Sequence, residues 1–304
     1  MPKVRIANGL NVHYERLGTG PDLVMLHGIG GHLAIWHFNI IPLLWERYRI
    51  LTYDLRGHGY TEMTEVGYTP EEQAADLVQL LDALGIEKAD IVGHSFGGDV
   101  ALYFAYYYPE RCRNVVLIEA LIPAMAMILT RDDFERADWA ATILEKLGVI
   151  IPEDRRMDTG YMLKEAVNMP NKWGPMKGLP RRKGRHDDWL EKLYTTTSIL
   201  KDALEVGELT RENISQIDVP VHLIYDSGSL MWHKSFGFLR DNLPKVSWVL
   251  LDTENDQLAH FAPLEKPELM VEHILNGLTP WESRVRTRKS RRSSGGPWRS
   301  SNAS

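Results

Sequence analysis

Cysteine is almost missing from this chain. Cys112 is the only one among 304 residues, so no internal disulfide can form, and no histidine stands near it at metal-ligand spacing. It reads as a small buried apolar residue. No apolar run approaches the roughly 18 residues of a membrane span, and the first residues carry no basic-then-apolar leader. These features point to a soluble protein of a reducing, cytoplasmic compartment. No internal repeat is visible, and positive charge is scarce in the body of the chain. The formal net charge is −6, and the stretch from Trp281 to Ser304 holds seven Arg or Lys against one Glu, which leaves −12 on the remainder. Nucleic acid is therefore an unsuitable partner.

What is present is ample apolar material, 44% of residues, arranged in an alternation of short buried runs and amphipathic stretches. Lys3 to Leu17 alternates about Asn8-Gly9 and predicts a β-hairpin with a two-residue turn. Asp22 to Leu26 and Tyr48 to Tyr53 read as buried strands, with Leu33 to Trp45 helical between them. Glu71 to Leu84 is an amphipathic helix opened by Pro70 and stopped by Gly85. Strands at Ala89 to Val92, Asn114 to Ile118, Val221 to Tyr225 and Ser247 to Leu251 follow, with helices at Asp99 to Tyr108, His233 to Asn242 and Pro267 to Leu278. Such alternation implies a parallel sheet with right-handed crossovers.

The rhythm breaks between Leu121 and Ser215. There, helical patches at Asp132 to Leu147, Gly160 to Val167 and Asp187 to Leu204 are joined by Pro, Gly and charged residues. Residues 1–121 and 216–279 are expected to form the core domain, 122–215 a helical insertion, and 280–304 a disordered basic tail.

The stretch with chemistry in it is Gly93-His94-Ser95-Phe96-Gly97. A G-x-S-x-G spacing between a buried strand and a helix lifts a serine oxygen clear of a sharp turn, the geometry of a nucleophile elbow. His27-Gly28-Ile29-Gly30-Gly31-His32 is a second glycine-rich loop at a strand end, expected to bring backbone amides close to a reacting group.

Four blocks in order, Leu23-Val24-Met25-Leu26-His27-Gly28, Asp54-Leu55-Arg56-Gly57-His58-Gly59, Gly93-His94-Ser95-Phe96-Gly97-Gly98 and Ala259-His260-Phe261, make the chain resemble the α/β-hydrolase superfamily from about Val4 to Leu278. The resemblance implies a mostly parallel eight-stranded sheet flanked by helices, with a helical cap inserted after the strand ending at Glu119. It also implies a Ser, acid, His order along the chain. Ser95 and His260 fill the first and last places, His260 taking the hydroxyl proton as Ser95 attacks a carbonyl. His94 is in the family pattern a packing residue, and Asp54 to Gly59 a structural loop without chemistry.

Two residues compete for the acid. Many relatives carry an Asp in a Gly-x-x-Asp pattern after the strand that here is Val221 to Tyr225; Asp226 lies three places earlier, and a serine, Ser229, stands in its place. Other relatives, haloalkane dehalogenases and certain lactone hydrolases among them, place the acid at the end of the strand before the cap. Glu119 matches that position and is preferred, since a carboxylate directly after an apolar strand is costly without a partner. The backbone N–H groups of Ile29 and Phe96 are the expected oxyanion donors.

A serine at the elbow departs from haloalkane dehalogenases and epoxide hydrolases of this fold, which need a carboxylate there. The resulting expectation is a serine hydrolase, without cofactor or metal, that cleaves a hydrophobic carboxylic ester or lactone through an acyl-enzyme. A carbon-carbon bond hydrolase and a hydrolase-fold ligand receptor with little turnover are the alternatives. Within the insertion, Met125, Trp139 and Trp189 are candidate substrate contacts, as is Trp36 just past the oxyanion turn. The oligomeric state is not legible from these residues.

Overall fold

The computed structural model describes residues 2–120, 122, 145, 150–156, 186–203, 207–227, 235–252 and 266–284. Its centre is an eight-stranded sheet built from β1 (Lys3–Arg5), β2 (Asn11–Leu17), β3 (Asp22–Leu26), β4 (Arg49–Tyr53), β5 (Ala89–His94), β6 (Cys112–Ile118), β7 (Val221–Asp226) and β8 (Val246–Leu251). The spatial order is β1-β2-β4-β3-β5-β6-β7-β8. β1 and β2 pair antiparallel, as do β2 and β4, and every pair from β4 onward is parallel. β5 and β7 are buried at every position, as strands covered on both faces must be.

One face carries α3 (Pro70–Ala83) and α4 (Phe96–Tyr107), which pack on each other and on the sheet through Leu77, Leu81, Val100 and Phe104. The other face carries the short helices α1 (Ala34–His37) and α2 (Ile41–Leu44), together with α9 (Pro267–Leu278), over Met25, Val92, Val116 and Ile224. The remaining described helices are α5 (His186–Thr196), α6 (Ile199–Asp202), α7 (Arg211–Ile214) and α8 (Gly237–Asn242).

The structure differs from the sequence expectations in several local places, among them the Asp187 to Leu204 patch, which is interrupted at Thr197-Ser198 into α5 and α6. The hairpin turn is longer than two residues: Ile6 N–H donates to Leu10 O at 3.0 Å, closing Ala7-Asn8-Gly9 into a three-residue loop with Gly9 at φ 91°. Leu33 to Trp45 is two short helices, because a continuous helix would place Pro42 where its missing N–H and its ring break the ladder. The helix at 267–278 matches its expected bounds. Of the expected patches in the insertion, Gly160 to Val167 and all of Asp132 to Leu147 but Glu145 lie outside the described residues.

The start of α3 shows how locally such an element is specified. The Thr69 hydroxyl accepts from Glu72 N–H, and the Glu72 carboxylate accepts from Thr69 N–H at 3.1 Å, a reciprocal cap that satisfies two orphan donors. Thr69→Ala is expected to destabilise the protein by about 1 kcal/mol, read as a lower urea midpoint with unchanged slope.

Candidate active site

The C-terminal ends of the parallel strands meet at Ser95. It links β5 to α4 with φ 53° and ψ −125°, and only it and Glu119 have positive φ among the described non-glycine residues. An L side chain adopts this backbone at a cost of about 1–3 kcal/mol, so its surroundings must hold it there. Ser95 N–H donates to Ile118 O at 2.9 Å, and Gly98 N–H to Ser95 O at 2.8 Å. The flanking glycines are needed for closeness: a Cβ on Gly97 would lie 2.6 Å from the carbonyl oxygens of both Leu26 and His27.

The loop after β3 comes directly against the serine. A Cβ on Gly28 would fall 2.9 Å from Ser95 Cβ, so the backbone leading into Ile29 borders the serine side chain. Phe96 opens α4, and its amide has no helical carbonyl to meet. Gly28, the residue before Ile29, and Phe96, the residue after the serine, are thus the observed neighbours of Ser95.

The loop is held by residues to which no chemistry was assigned from sequence. His27 Nδ1 lies 2.8 Å from Gly28 O and its Nε2 3.0 Å from Leu55 N. His58 repeats the pattern, with Nδ1 2.8 Å from Arg56 O and Nε2 3.2 Å from Gly30 N. Each ring thus donates at Nδ1 and accepts at Nε2, which requires neutral imidazole. Burial pushes His27 down to about 4 and His58 down to about 3, which agrees with that state.

Asp54 anchors the same region. Its Oδ2 meets His13 Nδ1 at 2.7 Å and Tyr60 N at 2.8 Å, and its Oδ1 accepts from Leu33 N–H at 2.8 Å. Burial alone would raise this carboxyl; the His13 bond, the nearby His27 ring and the Leu33 and Tyr60 amides together outweigh it and hold Asp54 below its ordinary value. The loop 54–59 is thus the support of the loop after β3, and the signal for it was the Asp54-to-Gly59 block itself.

The two acid candidates are neighbours. Glu119 follows β6 at φ 50° and is buried, and its Oε1 accepts from Asp226 N–H at 2.6 Å. Asp226 ends β7 and is also buried. Both carboxylates therefore sit at the ends of adjacent strands, on the side of Ser95 away from the loop after β3.

Trp36 is wholly buried among the core residues on the α9 face, with its ring edge-on to His94 at 6.5 Å between centroids. It packs there with Ile40, Ile41 and Met270 of the same core. Trp189, on α5, donates from Nε1 to Gly57 O at 2.8 Å and packs its ring on His58 at 5.7 Å. His260, Met125 and Trp139 lie outside the described residues.

A parallel-centred sheet with helices on both faces, and a serine on a strained strand-to-helix turn, define the α/β-hydrolase architecture. The comparisons agree. The family described as "alpha/beta hydrolase fold" matches residues 21–227, and the chain belongs to that family. A relative named "Epoxide hydrolase 3" from Siraitia grosvenorii is 38% identical over 304 aligned positions, covering 88% of this chain and 94% of its own. "Soluble epoxide hydrolase" from Corynebacterium sp. (strain C12) is 27% identical, covering 90% and 95%. Among solved structures, the enol-lactonase from Burkholderia xenovorans LB400 superposes with a TM-score of 0.62 at 19% identity, covering 91% of this chain and all of that one.

The two buried histidines tie stability to pH. In the unfolded chain each titrates near its ordinary value of 6.5, whereas in the folded chain each stays neutral down to about 4 or 3. Their contribution is whole above 6.5 and is lost as pH falls below it, at about 1.4 kcal/mol per pH unit per histidine. His58→Asn is expected to be less stable than wild type at pH 7.5, with the gap narrowing by about 2 kcal/mol at pH 5. Urea denaturation at the two pH values checks this; an unchanged gap would show that His58 accepts a proton in the fold.

Proposed function

We propose that the chain is a serine hydrolase that cleaves a hydrophobic carboxylic ester or lactone through an acyl-enzyme. The observation that carries this reading is the Ser95 backbone, a strained left-handed turn at a strand end with amide-bearing loops on two sides. Ser95 attacks the carbonyl while His260 accepts its proton; the amides of Ile29 and Phe96 receive the developing oxyanion. His260 then returns the proton to the leaving alcohol and activates the water that frees the acid. Residues 122–215 act as the cap over this site, with Met125, Trp139 and Trp189 as its apolar lining. The same reading makes the protein a cytoplasmic enzyme; among the described residues, no helix is long and apolar enough to cross a membrane.

The relatives named epoxide hydrolase raise a different chemistry, which the elbow residue argues against. A carboxylate opening an epoxide forms an ester, which an activated water can cleave. A serine doing the same would form an alkyl ether, which histidine-activated water does not cleave, and the enzyme would stop after one turnover.

Glu119 is the proposed acid. Its carboxylate is buried and held against the first amide beyond Tyr225, and its left-handed backbone turns the side chain back across the strand ends.

Labelling by a fluorophosphonate probe is expected in wild type and lost in Ser95→Ala, with hydrolysis of p-nitrophenyl esters lost alongside; a folded protein that never labels would favour a binding role. Product analysis on esters, macrolactones and vinylogous diketones separates ester from carbon-carbon cleavage. Glu119→Gln should lower kcat by about 10³ to 10⁴, because the acid sets the histidine tautomer and stabilises its cation. Asp226→Asn should change kcat less than about tenfold, and the reverse ranking would transfer the role to Asp226.

A further inference from the structure

The peptide link from Gly57 to His58 is where the insertion grips the support of the loop beside Ser95. Its carbonyl oxygen accepts from the Trp189 indole N–H on α5 at 2.8 Å, and its N–H donates to Leu55 O at 2.8 Å. The peptide is thus held from two sides, once by the insertion and once by the core. Gly57 and Gly59, on either side of His58, have φ 71° and 51°. Glycine leaves the backbone there many conformations, so the orientation of the His58 ring depends on such outside holds.

The ring passes the constraint on. Trp189 packs on it at 5.7 Å between centroids with the planes 67° apart, and His58 Nε2 accepts from Gly30 N–H at 3.2 Å. Gly30 follows Ile29, and a Cβ on Gly28 would lie 2.9 Å from Ser95 Cβ and 3.3 Å from Ser95 Oγ. Consecutive residues 28–30 therefore connect a histidine held by the insertion to the side chain of the proposed nucleophile.

The helix that does this is well seated. Leu193, one turn beyond Trp189, is wholly buried, and a Cβ on Gly57 would lie 2.9 Å from its Cδ1. Just past α5, Ser198 N–H donates to Glu65 O at 2.8 Å, and the buried Asp202 carboxylate of α6 accepts from Tyr68 N–H at 3.2 Å. These last two anchors act on residues 65 and 68 of the core, not on His58.

We propose that Trp189 is a positioning residue: from α5 it clamps the Gly57–His58 peptide, which fixes Gly30 and with it the Ile29 N–H that receives the oxyanion. Docking of this part of the cap is thereby tied to transition-state stabilisation and not only to enclosure of the substrate. A displaced amide weakens the transition state more than the bound ester, because the full charge develops only in the former, so the loss falls on kcat.

This inference deepens the Ser95 reading and rests on it, and the experiment keeps the two apart. Wild type, Trp189→Phe, Trp189→Leu and Asp202→Ala are compared in kcat and KM on the p-nitrophenyl esters of acetate, butyrate and octanoate. Inhibition by hexyl trifluoromethyl ketone, whose serine adduct carries the oxyanion, is measured alongside. Trp189→Phe keeps a ring for His58 but has no donor. It is expected to lower kcat by about tenfold, by the same factor on every ester, and to weaken inhibition by a similar factor. Trp189→Leu, which lacks both ring and donor, should lose more. Asp202→Ala removes a different cap anchor; it should lower the urea midpoint while keeping kcat within about threefold of wild type. An effect of Trp189→Phe confined to KM and growing with acyl length would make Trp189 a wall of the pocket alone and overturn the proposal. So would a loss of kcat in Asp202→Ala as severe as in Trp189→Phe. A folded wild type that neither labels with fluorophosphonate nor hydrolyses these esters overturns the Ser95 reading and this inference with it.

Discussion

The structure depends on one strained joint. At Ser95 the chain leaves a central parallel strand and enters a helix within a single residue, with the backbone in a region that side chains avoid. That conformation survives because its neighbours allow no other. Ile118 O fixes the serine amide from β6, Gly97 presses on the carbonyls that end β3, and Gly28 approaches from the following loop. The two large apolar layers on either face of the sheet stabilise the arrangement as a whole, so a local strain of about 1–3 kcal/mol is held by packing that extends far beyond the turn.

Around that joint, ionisable groups with similar burial take different states for identifiable reasons. His27 and His58 are neutral because each ring must accept one backbone N–H while donating to one carbonyl. Asp54 stays ionised despite burial because His13 and two amides converge on it, with the His27 ring nearby. The Oδ1 of Asp99 has no such partner among the described residues, and desolvation raises its carboxyl well above the ordinary value. Burial in itself decides nothing; the partners that come with it do.

The match to an epoxide hydrolase of 38% identity and the fold shared with an enol-lactonase illustrate how little an architecture says about a reaction. With an epoxide as substrate, a carboxylate nucleophile gives an ester that water can break and a serine an ether that it cannot, so one side chain changes which reactions a shared fold can complete. Loops at strand ends are free to vary because the sheet beneath them does not depend on their chemistry.

Much of the framework is written in local patterns. Continuous apolar runs such as Asp22 to Leu26, the Thr69 and Glu72 cap, and the apolar face of Pro267 to Leu278 each carry their own signal, because strand burial and helix capping involve residues close in sequence. The glycine spacing about Ser95 belongs with them. The grip of His58 on Gly30, the clasp of Glu119 on the amide of Asp226 and the burial of Trp36 in the core were not legible in that way. Each joins residues that only the strand order β4-β3-β5-β6-β7 brings side by side. The sequence by itself determined the elements and the identity of the side chain at the elbow; tertiary structure decided which distant polar groups became partners, because a hydrogen bond needs two atoms within about 3 Å and chain order places no such limit on them.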